Sequence, residues 1–397
     1  MEKLRCIVGG FLGLLPAGGV TWDYIQYPLG LSLLGHDVYY IEDTRLYPVF
    51  QRSGSNWGDA TSSIEYLSSV MIYFGLQDRW AYRDEVTGSY FGMNEKEVKT
   101  ICKTADVFIN ISCSTFMRDE YLNIPKRVLI DSDPMFTQIQ YVSQQMFTAG
   151  TAGLQQMMQA HNYYFTFGEN IGSPDCLIPT CGLQWHTTRQ PICLEKWNPT
   201  ISTDHKANVF TTLMNWSAGK KLLYDNTEWG QKDIEFKKVL TLPKHLPGVQ
   251  LEIVVNKTIN SENMTPVDCL EENGWKTLNP EKEAGDWINY QQFIGQSSGE
   301  FSVAKETYVK ANTGWFSCRS ACYLAAGRPV VTQDTGWSKF IPSGTGLYRF
   351  TNMDEAIEAI QNIISNPVKH SNAAREIAEE YFDSNKVLNS LLQKLIE

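Results

Sequence analysis

Residues 8–40, "VGGFLGLLPAGGVTWDYIQYPLGLSLLGHDVYY", come just after Lys3 and Arg5 and run apolar and glycine-rich as far as Val20. An export signal would show basic residues, an unbroken apolar core of roughly 7–15 residues and small residues at a cleavage site. Here Gly9, Gly10, Gly13 and Pro16 interrupt the apolar run, and glycines this dense make a poor helical core. The residues beyond Gly19 are patterned like the inside of a fold. Apolar residues stand at helical spacing at Val20, Tyr24, Tyr27, Leu31 and Leu34, Gly35 supplies a stop, and "DVYYIED" reads as a strand. The stretch is therefore strand, glycine loop, helix, strand, with Pro28 predicting a helix that kinks there or begins late.

Working outward, the 397-residue chain is 43% hydrophobic and 12% aromatic, enough for two domains with separate cores. Lys and Arg number 34 against 44 Asp and Glu, a formal charge of -10. That balance argues against a broad nucleic-acid or anionic-membrane surface, though a local basic pocket is compatible with it. No run of about 18 uninterrupted apolar residues predicts a transmembrane helix. The nine cysteines are scattered with no CxxC pair, as reduced thiols in a cytoplasmic protein would be. Metal clusters and a disulfide framework are not expected. The triplets at Asn110, Asn215 and Asn256 match the glycosylation pattern, which matters only in a secreted chain.

Strand-like runs alternate with helical ones through the first half: "LRCIVGG", "DVYYIED", "VFINIS" at 107–112, "KRVLIDSD" at 126–133 and "YYFTFGEN" at 163–170. Such alternation predicts a mostly parallel sheet with helices on both faces. Near 183–207 the pattern lapses into a polar, Trp- and Pro-containing connection. A second series then begins: "ANVFTTLMNW", "VQLEIVVN" at 249–256, "WINYQQF" at 287–293, "RPVVTQD" at 328–334 and "GLYRFTN" at 346–352. A helix near Met353 carries a capping signal at Thr351 and Asp354. The expected fold class is α/β, two Rossmann-like doubly wound domains facing across a cleft. Their expected ranges are 1–190 and 207–380, with 381–397 an apolar helix that packs back on the first.

Ligands of open parallel sheets bind beyond the carboxyl ends of the strands. The loop Gly9–Gly19, including Gly18 and Gly19, would border the cleft on one side, with Asp23 just past it. The dinucleotide fingerprint GxGxxG is absent there, and Asp43 ends the second strand as a weak match to a ribose-binding acid. On the other side lies the stretch "SGEFSVAKETYVKANTGWFSCRSACYLAAGRPVVTQDTGWSKF" at 298–340. Gly314 breaks the chain, a helix opens at Ser317, and Gly327 closes it before a buried strand. A first turn carrying Ser317, Arg319 and Ser320 suits a diphosphate, because free N–H groups, hydroxyls and one cation converge. Asp334, Thr335 and Gly336 end the next strand at the same rim. Trp315 and Trp337 are core aromatics or stack on a nucleobase or sugar.

These residues carry a resemblance. "GWFSCRSACYLAAGRPVVTQDTG" resembles the nucleotide-sugar-binding signature of GT-B fold glycosyltransferases, and "GG...AGGVTWDYIQYPLGLSLLGHDVYYIED" is similar to their opening unit. Many retaining members carry a spaced pair of glutamates around the helix; the matching positions here are Gly314 and Cys322. The resemblance implies transfer of a sugar from a UDP-, GDP- or dTDP-sugar to an acceptor hydroxyl without a metal. The acceptor would be a small molecule or glycan. Donor contacts would come from Asn215, Trp216, Ser217 and Lys220 or Lys221 after the first strand of the second half, and from Gly314, Trp315, Ser317, Arg319, Ser320, Asp334, Thr335 and Gly336. Asp23, Asp131 and Asp133 are the candidate bases, each otherwise a cap or turn residue. His36 reads as a turn histidine, and His161, His186 and His205 lack metal-ligand spacing. Other readings of the same fold are a sugar-nucleotide epimerase, a phosphorylase or a non-catalytic nucleotide-sugar-binding protein.

Overall fold

The apolar runs of the first half assemble into one eight-stranded sheet. A computed structural model describes residues 2–48, 58–143, 153–198, 206–217, 221–256 and 265–396. It contains β1 (Arg5–Gly9), β2 (Asp37–Glu42), β3 (Trp80–Arg83), β4 (Tyr90–Gly92), β5 (Val107–Ile111), β6 (Lys126–Asp131), β7 (Tyr163–Thr166) and β8 (Trp185–Thr187). Their order is β4-β3-β2-β1-β5-β6-β7-β8, with Cys6 of β1 opposite Val38 of β2 and Val107 of β5. All pairs are parallel except β3 with β4. β5 is buried along its whole length, as a strand covered on both faces must be.

The second half repeats the plan. β9 (Val209–Met214), the hairpin β10 (Leu222–Tyr224) and β11 (Thr227–Trp229), β12 (Gln250–Val255), β13 (Lys276–Leu278), β14 (Gly299–Ser302), β15 (Val330–Gln333) and β16 (Leu347–Phe350) come next along the chain. Apart from the hairpin they form a six-stranded sheet ordered β13-β12-β9-β14-β15-β16, parallel throughout. Seven helices position the cavity and join the halves: α1 (Gly18–Leu33), α2 (Thr61–Tyr73), α3 (Lys232–Lys237), α4 (Trp287–Gln296), α5 (Cys318–Ala325), α6 (Pro367–Tyr381) and α7 (Ser384–Lys394).

Several local expectations are corrected. "WINYQQF" is not a strand but the start of α4: Asp286 accepts hydrogen bonds from the Ile288 and Asn289 N–H groups, capping a helix there. Its buried Trp287, Tyr290, Phe293 and Ile294 have helical rather than alternating spacing. The central strand of that region is instead β14, "GEFS", only four residues long. Within the stretch 183–207, expected to be a connection, β8 adds an edge to the first sheet. Asn352, not Thr351, caps the helix Met353–Ser365, accepting from the Glu355 N–H at 3.0 Å. Helix α1 begins at Gly18 and continues past Pro28 to Leu33, its residues from Thr21 to Leu31 nearly all buried. Packing on every side holds together a helix that proline alone would interrupt.

The two halves share one apolar core. It includes Trp22 of α1, Trp197, Trp287 and Ile294 of α4, Phe316, and Leu388 and Leu391 of α7. The Trp22 indole donates to the Trp287 carbonyl at 2.9 Å and its ring lies 4.6 Å from that of Trp197. Helix α7 lies against α1, where a side chain on Gly30 would run into Leu388 at 2.6 Å. Arg375 of α6 donates to the carbonyls of Leu194, Trp197 and Ala325, tying the chain's end to both halves.

The glycine loop after β1 is anchored rather than open. Its Gly13 and Leu14 N–H groups donate to the buried Glu42 carboxylate at 2.8 and 2.6 Å. Burial pushes the Glu42 carboxyl up to about 7 against these donors. The glycines serve close approach: a Cβ on Gly18 would sit 2.2 Å from the Asp286 carbonyl oxygen, and one on Gly19 would meet the Tyr290 ring at 3.3 Å. Gly18→Ala is therefore expected to wedge the halves apart and destabilise by roughly 1–3 kcal/mol, the usual cost of overpacking. Equilibrium denaturation of the variant measures this, and unchanged stability would refute the close-approach role.

Candidate active site

Each sheet has a point where the strand order reverses, and the two points face each other. In the first sheet β1 sits between β2 and β5; in the second β9 sits between β12 and β14. Loops diverge at such points and leave a crevice beyond the strand ends. A cavity of about 440 Å³ fills the space between them, a volume in the range of small-molecule sites. Its wall takes Gly19, Asp23 and Tyr24 from the start of α1, Ser112 from the end of β5 and Ser132 and Asp133 from the end of β6. The opposite wall takes Leu213, Met214 and Asn215 from the end of β9, Lys305 after β14, and Trp315, Ser317, Cys318 and Arg319 around the start of α5. Lys232, the first residue of α3, completes it.

The structure thus brings together Gly19, Asp23, Asp133, Asn215, Trp315, Ser317 and Arg319 of the residues singled out from sequence. Ser317 occupies the N-cap of α5 but makes no side-chain capping bond, leaving the first-turn donors uncapped by it. Trp315 stands 4.5 Å from Tyr308 and donates to the Ser132 carbonyl across the cleft at 3.1 Å. Asp133 crosses the cleft in the other sense, accepting from Lys305 Nζ at 2.7 and 3.0 Å.

Arg319 touches the cavity, yet its guanidinium is directed into the second half. It pairs with the fully buried Glu300 and donates to the Leu213 carbonyl and the Ser302 hydroxyl. All three groups lie on neighbouring strands, so the arginine ties β9 to β14 beneath the cavity floor. Its position in the helix gives no hint of these acceptors, which come from β9 and β14 and not from α5 itself.

The remaining candidates stand away from the wall. Asp131 is 2% exposed and accepts from Thr137, Gln138 and Thr166 at 2.7, 2.8 and 2.8 Å, so its carboxylate organises the β6 turn. Trp216 packs on Phe236 at 5.3 Å within the second core. Ser217 is described but does not line the cavity. Ser320 is fully buried, and its hydroxyl has no partner among the described residues. Gly18 packs on Asp286. Asp334 accepts from Ser338 and the Gly336 N–H, and Thr335 donates to the Trp315 carbonyl at 2.6 Å. Gly314 and Gly336 adopt φ of 75° and 95°, a region that favours glycine, and their loops hold the start of α5 in place. Trp337 is buried in the core at 1% exposure. Asp43 is bound by Arg118 at 2.6 and 3.0 Å and by Tyr121. Lys221 pairs with Glu228 at 3.2 Å; Lys220 and His205 lie outside the described residues.

Lys232 and Lys305 were not among the residues singled out from sequence. Lys305 comes just after β14, so recognising "GEFS" as a strand would have placed it at the rim. Lys232 opens a six-residue helix with nothing in its spacing to mark it.

The electrostatics of the cavity are unbalanced. Burial pushes the Asp23 carboxyl up to about 7, opposed by the Arg319 charge and by a hydrogen bond from the Cys318 thiol. Lys232 is held well below the usual lysine range by burial and then by the charges of Arg319 and Lys305. Among the described residues it has no ion-pair partner. A ligand anion placed beside Lys232 would favour its charged form, whereas Asp23 is poised to exchange a proton near neutrality. Among the described residues no three His, Cys, Asp or Glu side chains gather as metal ligands do. All nine cysteines are free thiols, and no described helix is long and apolar enough to cross a membrane.

No family model and no curated protein matches the chain by sequence. Solved structures do match by fold. An alpha-glucosyltransferase in complex with UDP and a 13-mer DNA superposes with a TM-score of 0.58 at 10% identity over 100% of both chains. Anabaena Alr3699/HepE in complex with UDP and glucose superposes with a TM-score of 0.58 at 11% identity, again over 100% of both chains. A glycosyltransferase from Rickettsia africae gives a TM-score of 0.52 at 12% identity over 99% of this chain and 98% of its own. With two largely parallel sheets whose switch points face one another, the chain has the GT-B fold, two Rossmann-like domains across a cleft.

Proposed function

We propose that the chain is a glycosyltransferase moving a sugar from a nucleoside-diphosphate sugar to an acceptor hydroxyl, with protein cations in place of a metal. The observation that carries this reading is that Lys232, without an ion-pair partner among the described residues, and Asp23, its carboxyl raised to about 7, line one cavity between the two switch points. The fold neighbours solved with UDP support it.

The donor's diphosphate would lie on the second-domain wall, against Lys232, Lys305 and the first turn of α5. There a helix N-terminus and ammonium groups stabilise negative charge. Asp23 would receive the proton of the acceptor hydroxyl as its oxygen bonds to the anomeric carbon. The bond between that carbon and the diphosphate oxygen breaks, and the leaving group takes the electron pair onto the oxygen faced by Lys232. Diphosphate binding also gives Lys305 a second anion, loosening its hold on Asp133.

The direct test is thermal stabilisation by UDP, GDP and dTDP in the presence of a chelator, and then nucleotide release from the matching sugar donors. One nucleoside diphosphate is expected to raise Tm. Lys232→Ala should weaken that binding roughly 10- to 100-fold, the loss of one charge-assisted hydrogen bond of about 1.5–3 kcal/mol. If none of the three stabilises the protein, or if Lys232→Ala binds as well as the parent, the donor site is misassigned.

A further inference from the structure

A groove of about 1420 Å³ opens directly from the cavity. Ala17, Pro280 and Ala284 belong to both walls. On one side runs α2 with its Ser62, Glu65, Tyr66 and Ser69; on the other lie Glu281, Asp286 and Trp287. Its volume is more than a single small ligand of a typical pocket fills.

Three features define what fits. Aromatic rings line it, among them Tyr66, Trp80, Phe91 and Trp287. Phe91 is 38% exposed although it stands on a strand, and Tyr66 and Trp287 meet edge to face at 5.5 Å. The indole N–H of Trp287, buried in this wall, has no acceptor among the described residues. Finally, the charged lining is acidic: Glu65, Glu281 and Asp286 contribute, and no lysine or arginine does among the described residues. Aromatic faces take the C–H faces of sugar rings, while carboxylates and serines accept and donate to hydroxyls. A lining that carries carboxylates and no lysine or arginine repels an anionic chain.

We propose that this groove is the binding track of a neutral oligosaccharide acceptor, several rings long, whose terminal hydroxyl reaches Asp23 in the adjoining cavity. The proposal rests on the glycosyltransferase reading for the direction of the chain, and on the groove alone for its chemistry. Uronic, sulfated and sialylated chains are excluded by the acidic lining, as would be expected of a protein with a formal charge of -10.

The full-length protein applied to an array of neutral and anionic oligosaccharides tests this, with affinities of the bound glycans then measured by tryptophan fluorescence. Binding confined to neutral glycans, and stronger for longer members of a series than for their monosaccharides, is the expected result. Phe91→Ala, at an exposed position, should weaken it a few-fold to about tenfold. The double substitution Glu65→Lys with Glu281→Lys should admit anionic glycans. Both variants should keep the parent's affinity for the stabilising nucleoside diphosphate. Equal binding of anionic and neutral glycans, or no glycan binding at all, overturns the groove assignment. Neutral glycan binding in a protein that binds no nucleoside diphosphate leaves the groove assignment standing and removes the glycosyltransferase reading.

Discussion

Asp23→Asn is expected to slow the proposed sugar transfer by about 10²–10⁴-fold, the contribution of a positioned general base, while nucleoside diphosphate binding is retained. The reason lies in its setting at the start of α1. Burial raises the Asp23 carboxyl to about 7, only partly offset by Arg319 and the Cys318 thiol. Its base form is present above that pH and lost below it, so kcat/KM of the parent should rise with pH through about 7. The same shift has the opposite sign for stability. A carboxyl whose folded pKa is raised contributes stability below its unfolded pKa that disappears as pH rises through the folded value. Asp23→Asn should therefore melt higher than the parent at pH 8 and lose most of that advantage by pH 5. Glu42, also raised to about 7, is common to both proteins and cancels in the comparison. A variant that loses activity without gaining stability at pH 8 would place Asp23 outside the catalytic role.

The second large effect is on folding. Arg319→Ala should destabilise the protein by roughly 3–5 kcal/mol, the cost of breaking a buried ion pair from one side. Glu300 is fully buried, one of its oxygens has no partner among the described residues, and the other is held by Arg319. The Leu213 carbonyl and the Ser302 hydroxyl lose their donor at the same time. Neutralising the carboxylate as well, in Arg319→Met with Glu300→Gln, should recover a substantial part of the loss, since no buried charge then stands alone. Denaturant titrations of the single and double variants decide this. A fully stable Arg319→Ala protein with impaired nucleotide binding would instead make the arginine a ligand contact. The distinction matters for Lys232 too: it has no ion-pair partner among the described residues, so its removal reads out on ligand affinity.

Much of the architecture is legible in the chain. Apolar runs such as "CIVGG", "VFINI" and "VVTQ" bounded by turn residues are buried strands because a parallel sheet covers both faces. Misreadings arise where a short strand competes with a helix: "WINYQQF" looks apolar and β-prone until Asp286 caps its N–H groups, and "GEFS" is too short to show a period. The start of α5 is readable from Gly314, Ser317 and Gly327, and the Asp23 position from the glycine loop.

What the sequence determined by itself was the repeated strand–loop–helix plan and the two chain segments that meet at the cleft. Tertiary structure alone decided which charges in those segments are neutralised within the protein. Arg319 is consumed by Glu300 and Asp133 by Lys305, whereas Lys232 and Asp23 are left facing the cavity. Spacing along a chain records which groups a turn of helix or strand brings side by side. Whether a buried charge is satisfied depends on partners far away in the chain, such as Asp133 and Lys305 on opposite sheets, and only packing brings those together.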